Sequence, residues 1–259
     1  MIQINQHIYK SRRARFAQSL GADGIAIIPT ASEKRRNRDS DFQYRFDSYF
    51  YYLTGFTEPN ALLVIAGDGG STLFCAPKDE EREIWDGYRL GPAMAPNILG
   101  VDAAYSYEDL DQNIPKLLEN KSQVSYPFAI HDGLETRISQ WLNKVRARVR
   151  FGVNCPDIQQ DACTMLDNMR LIKDSHELAS MRKAAQISAA GHIRAMKVSK
   201  QMLSEGRDTR EYHLDAELLH TFRQAGAHRP PAGRERRAVC ADLQRRHGKR
   251  AELGRPRQH

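Results

Sequence analysis

The stretch YRFDSYFYYLTGFTEP, Tyr44 to Pro59, decides how this chain folds. Seven of its sixteen residues are Phe or Tyr, against 8% aromatic residues over the whole chain. Burying such a cluster removes a large apolar area from water, at about 25 cal/mol per Å². A short core helix over Asp47–Thr54 accounts for it, with Gly55 as the left-handed residue that stops the helix.

Outward from that helix the chain alternates between elements. Residues 8–20 carry Ile8, Phe16 and Leu20 among basic residues, which predicts an amphipathic helix ended by Gly21 and Gly24. GIAII is a buried strand stopped by Pro29. ALLVIA and STLFCA flank Gly67-Asp-Gly-Gly70 and read as a hairpin. The turn lacks the frame of a phosphate-binding loop and precedes a strand. A polar loop, EREIWDGYRLG, comes next with Trp85, and Val101–Tyr105 is a further strand. Proline costs about 3 kcal/mol inside a helix, so a helix near Leu110–Leu118 is expected to begin at Pro115. SQVSYPFAI is strand-like, and Leu134–Val149 shows a helical stripe of Leu134, Ile138, Trp141, Leu142 and Val145. Strands alternating with helices imply an α/β sandwich on a mixed sheet over residues 1–150.

Residues 151–172 are expected as a linker. Asp174 with Glu177 forms an Asp version of a capping box before a second helical region, 173–227, and Asp208 with Glu211 is expected to repeat it. Two helices cannot bury both their faces alone, so this region calls for partners. Residues 228–259 contain no Phe, Tyr, Trp, Ile or Met, and nineteen of these 32 residues are Ala, Gly, Pro or Arg. A disordered basic tail is the expectation there. Ten Lys+Arg against three Asp+Glu in that tail give +7, the net charge of the whole chain, so residues 1–227 are neutral overall.

Composition bounds the function. Apolar content of 41% and charge of 27% fit a soluble globular protein. No run reaches the roughly 18 apolar residues of a membrane span, and the N-terminus is no secretory signal. Cys75, Cys155, Cys163 and Cys240 form no C-x-x-C pair, so reduced thiols in a cytoplasmic protein are the simplest account. The basic tail would attract nucleic acid non-specifically, but it has no interleaved aromatic residue for base stacking, so neither a nucleic-acid nor a membrane partner is expected.

Tyr44–Pro59, the ALLVI strand and EIWDGYRLG together resemble the N-terminal domain of the Xaa-Pro aminopeptidases (aminopeptidase P). MRLIKDSHELASMRKAAQIS and EYHLDAELLHTFRQAGA resemble the first two helices of that family's catalytic domain. The resemblance runs from Ile8 to Ala227 and then ceases where the composition changes. It implies a creatinase/aminopeptidase P-like α/β domain followed by a truncated pita-bread domain, whose remainder is missing or replaced by a frameshift near codon 228.

The family reaction implied is hydrolysis of the first peptide bond when proline is the second residue. The resemblance implies two manganese ions held by two Asp, one His and two Glu, the first on an Asp-Ala-Gly strand. No Asp-Ala-Gly occurs after residue 227, so no catalytic residue or metal ligand is assigned and the chain is expected to be inactive. His213, Glu217 and His220 share one helix face with the Glu-x-x-His spacing of di-iron bundles. A solvated face is the better account, because a second such helix is missing. Trp85 matches a family tryptophan near the substrate entrance of a neighbouring subunit, and Arg89 can pair with a peptide carboxylate. Core packing of Trp85 and plain solvation of Arg89 are the alternatives, and Asp86 departs from the family pattern. The resemblance implies homo-oligomers through the N-terminal domain. The other functional expectation is a non-catalytic oligomerisation or binding module.

Overall fold

A computed structural model describes residues 5–226, apart from the side chains of Trp85 and Asp86. The tail expected at 228–259 lies outside the described residues. The chain divides between Leu171 and Ile172 into two compact units.

In chain order the first unit holds α1 (Gln6–Leu20), β1 (Gly24–Pro29), β2 (Arg35–Asn37), β3 (Ser40–Asp41), α2 (Ser48–Thr54), β4 (Leu62–Ala66), β5 (Ser71–Cys75), α3 (Glu80–Asp86), α4 (Ala95–Leu99), β6 (Ala103–Ser106), α5 (Leu110–Leu118), β7 (Gln123–Tyr126), α6 (Leu134–Arg146), β8 (Ile158–Asp161) and α7 (Ala162–Leu171). Six strands form one sheet in the order β6-β5-β4-β1-β7-β8. β1–β4 and β4–β5 run antiparallel, while β5–β6, β1–β7 and β7–β8 run parallel, so the sheet is mixed.

Side chains alternate across a strand, so each buried strand feeds two cores. Ala26 and Ile28 of β1, with Leu63 and Ile65 of β4, pack under α1, α2, α4 and α7. Ile25 and Ile27, with Leu62 and Val64, pack under α5 and α6. The result is a three-layer α/β sandwich.

The aromatic stretch behaves as its composition requires. Asp47 caps α2, its Oδ1 accepting from the Tyr49 and Phe50 N–H groups, and Gly55 at φ 67° closes it with a bond to Tyr51 O. Phe50, Tyr52, Leu53 and Phe56 are buried. At this end of α2 the Leu53 carbonyl is taken by Arg13, which is 2% exposed. Its guanidinium donates to Leu53 O at 3.0 Å, to Leu99 O at 3.1 Å and to Gly100 O, joining the C-termini of α2 and α4. Burial holds its pKa down at about 10, with Asp102 opposing.

Three expectations are corrected. First, α5 does not begin at Pro115 but runs through it. Proline lacks the N–H that would bond the carbonyl four residues back, and the Lys144 ammonium donates to that Asp111 carbonyl at 2.9 Å instead. Second, residues 151–172 are not a plain connector. β8 extends the sheet beside β7, and α7 buries Ala162 and Leu166 in the first core. Third, Asp208 and Glu211 form no capping box. Asp208 is held by Arg210 Nε at 2.6 Å, and His213 Nδ1 accepts the Arg210 N–H at 3.2 Å.

The second unit is a helix pair, α8 (Ser175–Ser204) and α9 (Glu211–Gly226). Asp174 and Glu177 do make the capping box before α8. Gly191 lets the two helices approach: a Cβ there would lie 3.0 Å from Phe222 and 3.3 Å from Leu218. Met181, Met196, Leu203 and Tyr212 stay exposed.

Candidate functional site

The segment between β5 and α4 carries both sequence-predicted site residues. Cys75 ends β5 inside the core. The Asp79 carboxylate then accepts from the Arg82 N–H at 3.0 Å and caps α3. Trp85 therefore sits on the last turn of a helix, where a polar loop was expected. Its side chain lies outside the described structure. Gly87, at φ 89°, turns the chain out of α3, its N–H donating to Glu83 O at 3.0 Å.

Two carboxyl groups grip the chain beyond Gly87. Glu83 Oε1 accepts the Arg89 N–H at 3.2 Å, and Glu58 Oε1 accepts the Leu90 N–H at 2.9 Å. Leu90 is buried, Arg89 is partly buried, and Tyr88 is exposed beneath the Lys78 ammonium, 5.9 Å from its ring centre. Gly91 at φ 71° passes close to Lys78; a Cβ there would meet Lys78 Cβ and N at 3.3 Å. The main chain of Arg89–Gly91 is thus fixed at three successive residues.

Glu58 comes from the turn after α2, and sequence reasoning assigned it no role. Its Oε2 is buried without a hydrogen-bond partner. Burial lifts its carboxyl to about 7, with Glu83 adding to the rise and the Leu90 N–H and Arg89 opposing it. The Cys75 thiol is pushed up to about 12 by burial and by Glu58, so it stays neutral. No sequence signal separates Glu58 from other surface acids. Its environment is made by β5 and the α3–α4 segment, remote in sequence.

Among the described residues, no group of three or more His, Cys, Asp or Glu is arranged to hold a metal ion. The face of His213, Glu217 and His220 does not fit a metal cage. Glu217 is paired with Arg194 of α8, and His213 Nδ1 is occupied by the Arg210 N–H. No helix among the described residues is long and apolar enough to cross a membrane.

Residues 9–126 match the family model "Aminopeptidase P, N-terminal domain". The Xaa-Pro aminopeptidase of Haemophilus influenzae is 34% identical over 233 residues, covering 89% of this chain and 50% of that protein. The Escherichia coli Xaa-Pro aminopeptidase is 32% identical over 234 residues, covering 89% and 52%. Among solved structures, Pseudomonas aeruginosa aminopeptidase PepP superposes with a TM-score of 0.79 at 38% identity, over 87% of this chain and 50% of that one. Zinc-substituted E. coli aminopeptidase P in complex with product matches with a TM-score of 0.78 at 33% identity, over 87% and 51%. The chain spans about half the length of the curated relatives it matches. With its mixed sheet and its capped aromatic helix, the chain carries an aminopeptidase P N-terminal domain at residues 9–126 and is similar over 89% of its length to Xaa-Pro aminopeptidases.

Proposed function

We propose that this chain is the peptide-approach and assembly part of a cytoplasmic, metal-dependent aminopeptidase that releases the residue preceding a proline. Arg89 brings a guanidinium that can pair with a peptide carboxylate, and Trp85 is the family-matched residue on the same segment. The observation that carries this role is the double carboxyl grip of Glu83 and Glu58 on the Arg89 and Leu90 amides. A recognition segment must be fixed before its ligand arrives, or ordering it on binding weakens affinity. The names of the relatives supply the substrate class, peptides of the Xaa-Pro kind.

The implied two-manganese chemistry would activate a water and polarise the peptide carbonyl when the ions are bound. The described side chains supply no cage for them, and residues 228–259 add only Glu235, Asp242 and Glu252 as carboxylates among ten Lys and Arg. We propose peptide binding without turnover for the 259-residue chain. A non-catalytic module that associates with copies of itself or with relatives is the second reading. It is favoured by the two complete cores of the first unit, which give that unit the means to be stable by itself.

The test uses the purified 259-residue chain with an Arg-Pro-Pro peptide and manganese. Binding without cleavage is expected, weakened at least about tenfold in Trp85→Ala and in Arg89→Ala, a loss of about 1.4 kcal/mol. Turnover by the purified chain would overturn the non-catalytic assignment. Unchanged peptide affinity in both variants would overturn the recognition role. Sedimentation of the same sample reports self-association.

A further inference from the structure

The buried, half-satisfied carboxyl of Glu58 does more than pack. Its Oε1 holds the Leu90 amide, while Oε2 is shut away from water with no hydrogen-bond partner. A neutral carboxyl tolerates that arrangement, since only one hydroxyl goes unpaired. An ionised carboxylate does not: a full charge would rest on a single backbone donor in a poorly solvated place.

Among the described residues, charged and titratable groups face Glu58 from three sides. From β5, the Cys75 thiol is neutral and supplies no counter-charge. From α3, the Glu83 carboxylate repels a charge on Glu58. From the segment itself, Arg89 attracts it, and Lys78 is placed over Tyr88 and beside Gly91. The attraction of Arg89 does not offset the burial. Once ionised, Glu58 gains most by turning to water, and that turn gives up the Leu90 hydrogen bond.

We propose that Glu58 is a positioning residue, a carboxyl that latches the Trp85–Gly91 segment to the core when protonated and loosens it when ionised. The recognition segment is then ordered on the acid side of neutrality and freed on the alkaline side. The consequence for peptide binding rests on the role proposed above for Trp85 and Arg89; the latch itself does not.

The experiment reads the segment without any peptide. The chain has two tryptophans, and Trp141, on α6, is buried. The fluorescence of the full chain minus that of Trp85→Phe isolates Trp85. A pH titration from about 5.5 to 8.5 should show a step with its midpoint near 7. The step should vanish in Glu58→Gln, which keeps the acceptor for Leu90 and cannot ionise, with the emission held at its acid-side value throughout. A step that survives in Glu58→Gln, or no step in the wild-type chain, overturns the latch. If Glu58→Gln does not fold, amide exchange in the wild-type chain decides. Protection at Leu90 should fall at least about tenfold from pH 6 to 8, while Gly55, bonded to Tyr51 O, keeps its protection; equal protection of Leu90 at both pH values refutes the proposal. Loss of peptide binding with the latch intact would strike the recognition role alone.

Discussion

Replacing Arg13 by leucine should be among the most damaging single changes in the first unit. The guanidinium is 2% exposed and donates to three carbonyls, those of Leu53, Leu99 and Gly100. These are orphan groups at the ends of α2 and α4, which no intrahelical N–H can reach. Leucine fills much of the stem's volume, so the loss isolates the hydrogen bonds from the packing. A net hydrogen bond to a charged donor contributes about 1.5–3 kcal/mol, and each carbonyl left unpaired adds its own desolvation penalty. Against this stands the recovered cost of burying a cation, visible in the depression of Arg13 to about 10. The balance is a loss of about 3–5 kcal/mol. Because the group remains fully charged below pH 8, the loss should not vary between pH 6 and 8. Urea unfolding monitored through Trp141, which lies in the same unit, measures it. Arg13→Lys should recover only part of the stability, since one ammonium cannot span three carbonyls. A loss below about 1 kcal/mol for Arg13→Leu would show that water satisfies these helix ends and would refute the reasoning.

The first unit yields two further expected outcomes. Gly67→Ala should cost at least about 3 kcal/mol, in line with the large values reserved for named steric conflicts, because the new Cβ would fall 1.7 Å from Gly21 O, a backbone atom that cannot step aside; a melting temperature within about 2 °C of wild type, on an approximate scale of 4–8 °C per kcal/mol or less, would contradict the packing described. His131 is held below its ordinary 6.5 mainly by burial, against the pull of Asp47, Glu135 and Asp132. Its contribution is therefore present above pH 6.5 and lost as pH falls toward the folded value, while Glu58, raised from 4.5 to about 7, has the opposite slope across the same window. Urea titrations at several pH values in a Glu58→Gln background should show stability falling on acidification, and His131→Gln should flatten that slope; an unchanged slope would place the effect elsewhere.

The sequence by itself determined the elements whose causes are local. The Asp47 cap, the Gly55 stop and the Gly67–Gly70 turn each depend on residues a few positions apart. The alternation of strands and helices and the aromatic excess were enough for a mixed α/β sandwich, and the motifs from Tyr44 to Ala227 were enough for the family resemblance. Tertiary structure decided the places where a distant residue changes the local rule. Pro115 stays inside α5 because Lys144 takes the carbonyl it abandons. Residues 158–171 join the first unit because β7 offers a free edge and the core has room for Ala162 and Leu166. Arg13 reads as one more basic residue on an amphipathic helix until α2 and α4 end against it. Trp85 and Arg89 could be singled out by composition and resemblance, but Glu58 could not. A carboxyl's proton affinity is set by the solvent it loses and the charges it meets, and both come from parts of the chain that only folding brings together.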